Sequence, residues 1–118
     1  MKGIVVTADN QMTVKDFEAP VYVNLGEEVN GDIELVRPRG LHSPFCMVVN
    51  ENGLGEQLPL NKVGSYFYQT YIHGWPIVGT AVFLKEGMTE NGADFVDLSE
   101  DDVKEITSII EELFEILN

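Results

Sequence analysis

The pattern that most restricts this chain lies near its C-terminal end. Val103, Ile106, Ile110, Leu113 and Leu117 recur at spacings of three, four, three and four, which places all five on one side of an α-helix. Ser99 is a good N-cap, and Glu100, Asp101 and Asp102 crowd the first turn, where the helix dipole favours negative charge. The spacing predicts an amphipathic helix of about 18 residues. A helix of that kind draws most of its stability from laying its apolar side on another layer of the fold. Ile109, Phe114 and Ile116 widen that side to eight large apolar residues, more than one small sheet is expected to cover. The surplus predicts a homo-oligomer, with a twofold dimer favoured.

The receiving layer reads as strands. Gly3-Ile4-Val5-Val6-Thr7 and Met12-Thr13-Val14-Lys15 flank the turn signal Asp9-Asn10 and predict a hairpin. Between Pro20 and Asn30-Gly31, Val21, Val23 and Leu25 alternate as in a strand, while Tyr22, Leu25 and Val29 share a helical face. The glycine after the segment favours a short helix stopped near Asn30-Gly31. Ile33-Glu34-Leu35-Val36 and Phe45-Cys46-Met47-Val48-Val49 read as strands around a loop at 37–44, where two prolines and a glycine prevent regular pairing. Residues 77–84 form the most strand-like run, and Phe95-Val96-Asp97-Leu98 a short strand or extended connector after the turn at Glu90-Asn91-Gly92. The expected fold is α+β: a mainly antiparallel sheet of five or six strands, a short middle helix and the long C-terminal helix. No internal repeat divides the chain, and its 118 residues are the size of a single domain spanning 1–118.

Charge narrows the classes of function. The net charge is −13, and it is uneven: residues 1–85 hold 9 acids and 6 bases, whereas residues 86–118 hold 11 acids and only Lys104. Direct nucleic-acid binding through phosphates, and attachment to an anionic membrane, both need clustered Lys and Arg, so neither is expected. No apolar run approaches the roughly 20 residues of a membrane span, and the N-terminus lacks the features of a signal peptide. Cys46 is the only cysteine and has no internal disulfide partner, which fits a reducing cytoplasm.

Catalytic chemistry finds few parts. Cys46 sits in an apolar strand, where a thiol behaves as a small hydrophobe. His42 and His73 lack a partnered nucleophile, Gly53-Leu54-Gly55 lacks the third glycine of a dinucleotide fingerprint, and no cysteine or histidine spacing suits a transition metal. The expectation is a protein with no enzymatic activity, cofactor or metal ion.

Binding chemistry has two candidate locations. Arg37, Arg39 and His42 share one irregular loop, and the planar guanidinium fork suits phosphate or carboxylate. Tyr66, Tyr71, His73 and Trp75 lie in an aromatic segment able to stack on a base, although such a stripe also suits a core or an oligomer interface. Together these residues would form a pocket for a small, anionic, nucleotide-like ligand. Alternatively, Asp101, Glu105, Glu112 and Glu115 share the helix face opposite the apolar stripe. That column of carboxylates is either a solvated surface or a copy of a phosphate backbone aimed at the basic cleft of a host DNA-handling protein.

Several segments carry a family likeness. They are Val48-Val49-Asn50, Leu58-Pro59-Leu60-Asn61, Val78-Gly79-Thr80-Ala81-Val82 and the acidic opening of the last helix at 94–102, with Met1-Lys2-Gly3-Ile4-Val5-Val6 and Val29-Asn30-Gly31-Asp32-Ile33-Glu34-Leu35-Val36 in the first half. In these the chain resembles the domain-of-unknown-function family thirty-eight forty-six of phages and bacterial mobile elements. Lys62 stands where that family usually carries arginine, and the aromatic stretch is longer than typical. The resemblance implies an accessory protein that interferes with host machinery by binding, for example as a counter-defence protein that sequesters a signalling molecule. It supplies no catalytic residues.

Overall fold

Alternation along the strands divides the apolar residues between two cores, one on each face of a single sheet. The chain is seen in a computed structural model that describes residues 1–117, apart from the side chain of His73. Its elements run β1 (Lys2–Val6), β2 (Met12–Asp16), α1 (Val21–Val29), β3 (Ile33–Val36), β4 (Phe45–Asn50), α2 (Lys62–Tyr68), α3 (Thr70–His73), β5 (Ala81–Thr89), β6 (Gly92–Val96) and α4 (Glu100–Leu113). The expected α+β architecture is present, with six strands.

All strand pairs are antiparallel, in the order β2-β1-β5-β4-β3. Strand β5 serves two neighbours along one edge. Its start pairs with β1 through Ala81, Val82 and Phe83, and its outer half pairs with β6 from Lys85 to Thr89. Ile4, Val6, Phe45, Met47, Val49, Ala81 and Phe83 face a core completed by Val63 and Phe67 of α2 and by Ile106 and Ile110 of α4. Val5, Cys46, Val48, Val82 and Leu84 face the other side, against Leu25 and Val29 of α1, with Phe17 and Phe95. Helices therefore cover both faces, which is why β4 reads as an unbroken apolar run rather than an alternating one.

The helix over residues 21–29 is present and stops at Asn30-Gly31, as expected. Asn30 takes the left-handed conformation (φ 64°), with its N–H donating to Glu27 O, and the Gly31 N–H returns to Gly26 O. Gly31 is needed for a different reason: a Cβ there would lie 2.6 Å from Asn50 Nδ2.

Two expectations need correction, and one segment left without an assigned element gains one. The strand-like run 77–84 is ladder-paired only from Ala81. Gly79 turns the backbone with φ +75°, and Ile77 and Gly79 give their carbonyls to Asn61 instead, through its backbone N–H (2.8 Å) and Nδ2 (2.8 Å) respectively. The aromatic stretch forms two helices that its mixed pattern had hidden. Asn61 caps the first, its Oδ1 accepting from Gly64 N at 2.9 Å, and Val63 and Phe67, four apart, are buried beneath it.

The last helix is 14 residues long rather than about 18. Phe114 turns to extended backbone (φ −136°, ψ 147°), and the tail lies along the first hairpin, with Leu117 N–H donating to Asn10 O and Asn10 Nδ2 to Glu115 O. The period changes from 3.6 to 2 at that point. Phe114 and Ile116 turn inward against the core, while Leu113 and Leu117 are exposed. The chain's own core therefore takes up Ile109, Phe114 and Ile116, much of the surplus that had predicted a second copy. Ser99 and Asp102 form the expected cap as a reciprocal capping box, and Asp102 also accepts from Lys85 Nζ at 3.0 Å.

Candidate functional site

Loop 37–44 crosses from β3 to β4 over the end of α2, and its backbone fixes where its side chains go. The Gly40 N–H donates to Phe67 O at 2.9 Å, and a Cβ at Gly40 would meet Phe67 at 3.0 Å, so glycine lets the loop lie directly on the helix. Pro38, Leu41 and Phe45 are buried beneath it. Arg37, Arg39, Ser43 and Glu86 line a cleft of about 350 Å³ whose walls also include Pro38, Leu41, Pro44 and Phe45. Arg37 Nη1 donates to Glu86 Oε1. Arg39 is exposed and makes no hydrogen bond or ion pair among the described residues. Two of the chain's seven cations thus meet at one hollow, and one of them is unengaged.

The other expected ligand-binding residues lie elsewhere. His42 turns away from the cleft toward α4, where Nε2 meets Glu105, while Nδ1 lies 2.9 Å from the Ser43 carbonyl. Its ring packs against Phe45 at 4.9 Å. Tyr66 rests edge-on against Phe67 and Phe114, at 5.2 and 5.5 Å. Tyr71 and Trp75 are 78% and 65% exposed on α3 and just beyond it, and neither lines the cleft. The His73 side chain lies outside the described residues. Loop and aromatic segment touch through Gly40 and Phe67, but the tyrosines and the tryptophan do not reach the arginines' hollow.

The acidic face is broken up in a similar way. Asp101, Glu105 and Glu112 stand on α4, whereas Glu115 belongs to the extended tail, and Glu105 faces His42. The four carboxylates therefore do not form one continuous column on a helix.

Two titrating groups are shifted by identifiable neighbours. Burial pushes the Cys46 thiol up to about 11, against a small opposing pull from Arg37, which leaves it a protonated core residue near neutral pH. His42 is raised above its ordinary value, first by the Ser43 carbonyl and then by the Glu105 carboxylate, both of which favour the doubly protonated ring. A group whose folded value lies above its unfolded one stabilises the fold fully below the unfolded value and stops doing so as pH rises through the folded value. The melting temperature lost in His42→Gln is therefore expected to be larger near about pH 5 than near about pH 8. In a proton NMR titration, Glu105→Gln should move the His42 midpoint downward. A midpoint indifferent to Glu105 would mean that the pair does not form in solution.

Among the described residues, two polar side chains outside the expected site are buried: Asn50 and Asn61. Asn50 Nδ2 donates to the carbonyls of Val29 and Asn30, both at 3.2 Å, which ties the end of β4 to the end of α1. Asn61 Nδ2 donates to Val6 O at 2.9 Å and Gly79 O at 2.8 Å. These asparagines end the segments Val48-Val49-Asn50 and Leu58-Pro59-Leu60-Asn61, on which the family likeness chiefly rests. Their geometry makes them fastenings of the fold. Glu86 is the part of the cleft that sequence reasoning missed. It is 49 residues from Arg37, and the β3–β4 and β4–β5 registers together bring it alongside.

Fold and site define an antiparallel sheet covered by helices on both faces, with one arginine-bearing loop over an open cleft. The family model for the domain of unknown function DUF3846 matches residues 1–111, and the chain belongs to that family. No curated protein and no solved structure matches the chain. Among the described residues, no helix is long and apolar enough to cross a membrane, and no three His, Cys, Asp or Glu side chains are grouped to hold a metal ion.

Proposed function

We propose that this protein is a non-enzymatic accessory protein of a phage or mobile element that binds and sequesters a small anionic, nucleotide-like ligand, as a counter-defence protein would. The observation that carries this reading is the cleft under loop 37–44, which Arg37 and Arg39 both line and where Arg39 has no partner among the described residues. In a chain of net charge −13, an unengaged guanidinium beside a second one is the place where a small anion gains most. Enclosure of Cys46, with its thiol pushed up, supports binding over covalent chemistry. The alternative, imitation of a phosphate backbone by α4, draws less support, since Glu105 is occupied by His42 and Glu115 stands off the helix.

The homo-oligomer stays part of the proposal on different ground. Tyr66, Tyr71, Ile72 and Trp75 are exposed, in a stretch from residue 57 to 84 that contains no acidic residue, so two copies could meet there without opposing carboxylates.

Native mass spectrometry of the protein taken from its host reads copy number and co-purified ligand together. Arg39→Ala is expected to weaken binding of a phosphate-bearing ligand by about tenfold or more, the usual weight of a charge-assisted hydrogen bond. Unchanged affinity in Arg39→Ala by isothermal calorimetry would remove the cleft as the site.

A further inference from the structure

The hollow between Arg37 and Arg39 has a neighbour. Beyond the Arg37–Glu86 ion pair lies a second hollow of about 160 Å³, lined by Tyr22, Leu35, Ala93, Asp94 and Phe95 and sharing Arg37 and Glu86 with the first. The β5–β6 register creates it, because Glu86 stands opposite Phe95 and Gly87 opposite Asp94. Leu35 of β3 and Tyr22 of α1 complete its lining. The larger hollow is within the usual range of small-molecule sites, about 300–1,000 Å³, and the smaller extends it in one direction.

Tyr22 gives the second hollow its character. It is 55% exposed, yet its ring is held at both ends. Its plane packs against Phe95 at 5.7 Å and 46°, and its hydroxyl donates to Asp94 Oδ1 at 2.7 Å. An exposed tyrosine held in this way presents a flat face whose ordering cost is met before a ligand arrives. Asp94 Oδ1 also accepts from Phe95 N–H at 2.7 Å, which leaves Oδ2 with no partner among the described residues and open to a donor.

Charge selects the ligand further. Around the joined hollows Arg37 and Arg39 are balanced by Glu86 and Asp94. Any anion adds net negative charge to that balance, and a phosphomonoester, carrying about two negative charges near neutral pH, would leave a larger local excess than a diester. A phosphodiester carries one. The ion pair at the shared wall is exposed, and such pairs add little net stability, so Arg37 can turn part of its fork to a ligand oxygen.

We propose, building on the anion-cleft reading above, that the Tyr22–Asp94 hollow is the base-recognising half of the site, so that the protein takes a nucleotide whose phosphate is a diester. The phosphate lies between Arg37 and Arg39, the base rests on the Tyr22 ring, and a base N–H donates to Asp94 Oδ2.

The test titrates the full chain and its Tyr22→Ala, Tyr22→Phe and Arg39→Ala variants with two probes, 3′,5′-cyclic AMP and the base-free diester dimethyl phosphate, followed by NMR shifts and calorimetry. Cyclic AMP should bind the parent chain more tightly than dimethyl phosphate does. Tyr22→Ala should weaken cyclic AMP by about tenfold or more, the usual effect of losing one stacking face, and Tyr22→Phe by less. Dimethyl phosphate should be indifferent to Tyr22 and lost in Arg39→Ala. Tyr22→Ala also loses the Phe95 contact and the Asp94 hydrogen bond, so its titrations are run well below that variant's own melting temperature. Cyclic AMP binding that needs Arg39 but ignores Tyr22→Ala overturns the base-recognising half and leaves the anion cleft standing. Binding that survives Arg39→Ala, or no binding of either probe, overturns both.

Discussion

Asn61→Ala is expected to remove about 3–5 kcal/mol of unfolding free energy, a large part of the roughly 5–15 kcal/mol that holds a domain of this size together. The side chain is fully buried and makes three bonds at once. Two donate from Nδ2 to the carbonyls of Val6, at the end of β1, and Gly79, just before β5. The third accepts at Oδ1 from Gly64 and caps α2. Losing an N-cap alone costs about 1 kcal/mol. The remainder comes from two carbonyls left short of a donor where water does not reach, at about 1–3 kcal/mol each. Asn61→Asp separates the contributions, because it keeps the capping oxygen but turns an acceptor toward both carbonyls. It should be at least as damaging as alanine, even though aspartate caps helices as well as asparagine does. Urea unfolding followed by circular dichroism reads both variants. A loss below about 1 kcal/mol in Asn61→Ala would mean that the cap alone matters and that the link from α2 to the sheet carries little.

Phe83→Ala should cost a similar amount, about 3–5 kcal/mol, for an unrelated reason. Phe83 lies at the centre of the sheet, opposite Ile4 on β1 and Met47 on β4, with no exposed surface. Its ring meets Phe67 of α2 edge-to-face, at 5.7 Å and 83°. Truncation removes the ring's burial, opens a cavity between sheet and helix, and deletes an aromatic pair of about 0.5–1.5 kcal/mol. Tyr71→Ala supplies the contrast. At 78% exposure that ring should change monomer stability by no more than about 0.5 kcal/mol. Equal losses at the two positions, measured in the same denaturant series, would show that Tyr71 is covered in solution and would favour the proposed oligomer.

How much of the site was legible follows from sequence distance. Arg37 and Arg39 are two positions apart on a loop that prolines and a glycine mark plainly, so their common location was readable. Their orientation was not, because it depends on Gly40 seating against Phe67 and on Glu86 arriving from β5. The aromatic residues were readable as stacking faces, a core or an oligomer interface; Tyr71 and Trp75 are exposed, but the turn between α2 and α3 carries them away from the cleft. Tyr22 went unnoticed as a binding residue. One tyrosine on a short helix has no signal of its own until Asp94 and Phe95 come to hold it from 72 and 73 residues away in sequence.

Local periodicity by itself determined that this chain is α+β, that its first hairpin, β3 and β4 exist, and that a capped acidic helix begins at Ser99. Those features depend on side-chain repeats of two and 3.6 residues and on caps and turns, all written within a few neighbouring positions. Only the tertiary structure decided that β5 starts at Ala81, that α4 stops at Leu113, and that two hollows meet at Arg37. Each of those depends on a partner far along the chain: Asn61 taking the Gly79 carbonyl, Asn10 holding the C-terminal tail, and Glu86 reaching the arginine loop. Such pairings are set by strand register and three-dimensional packing, which no short window of residues encodes.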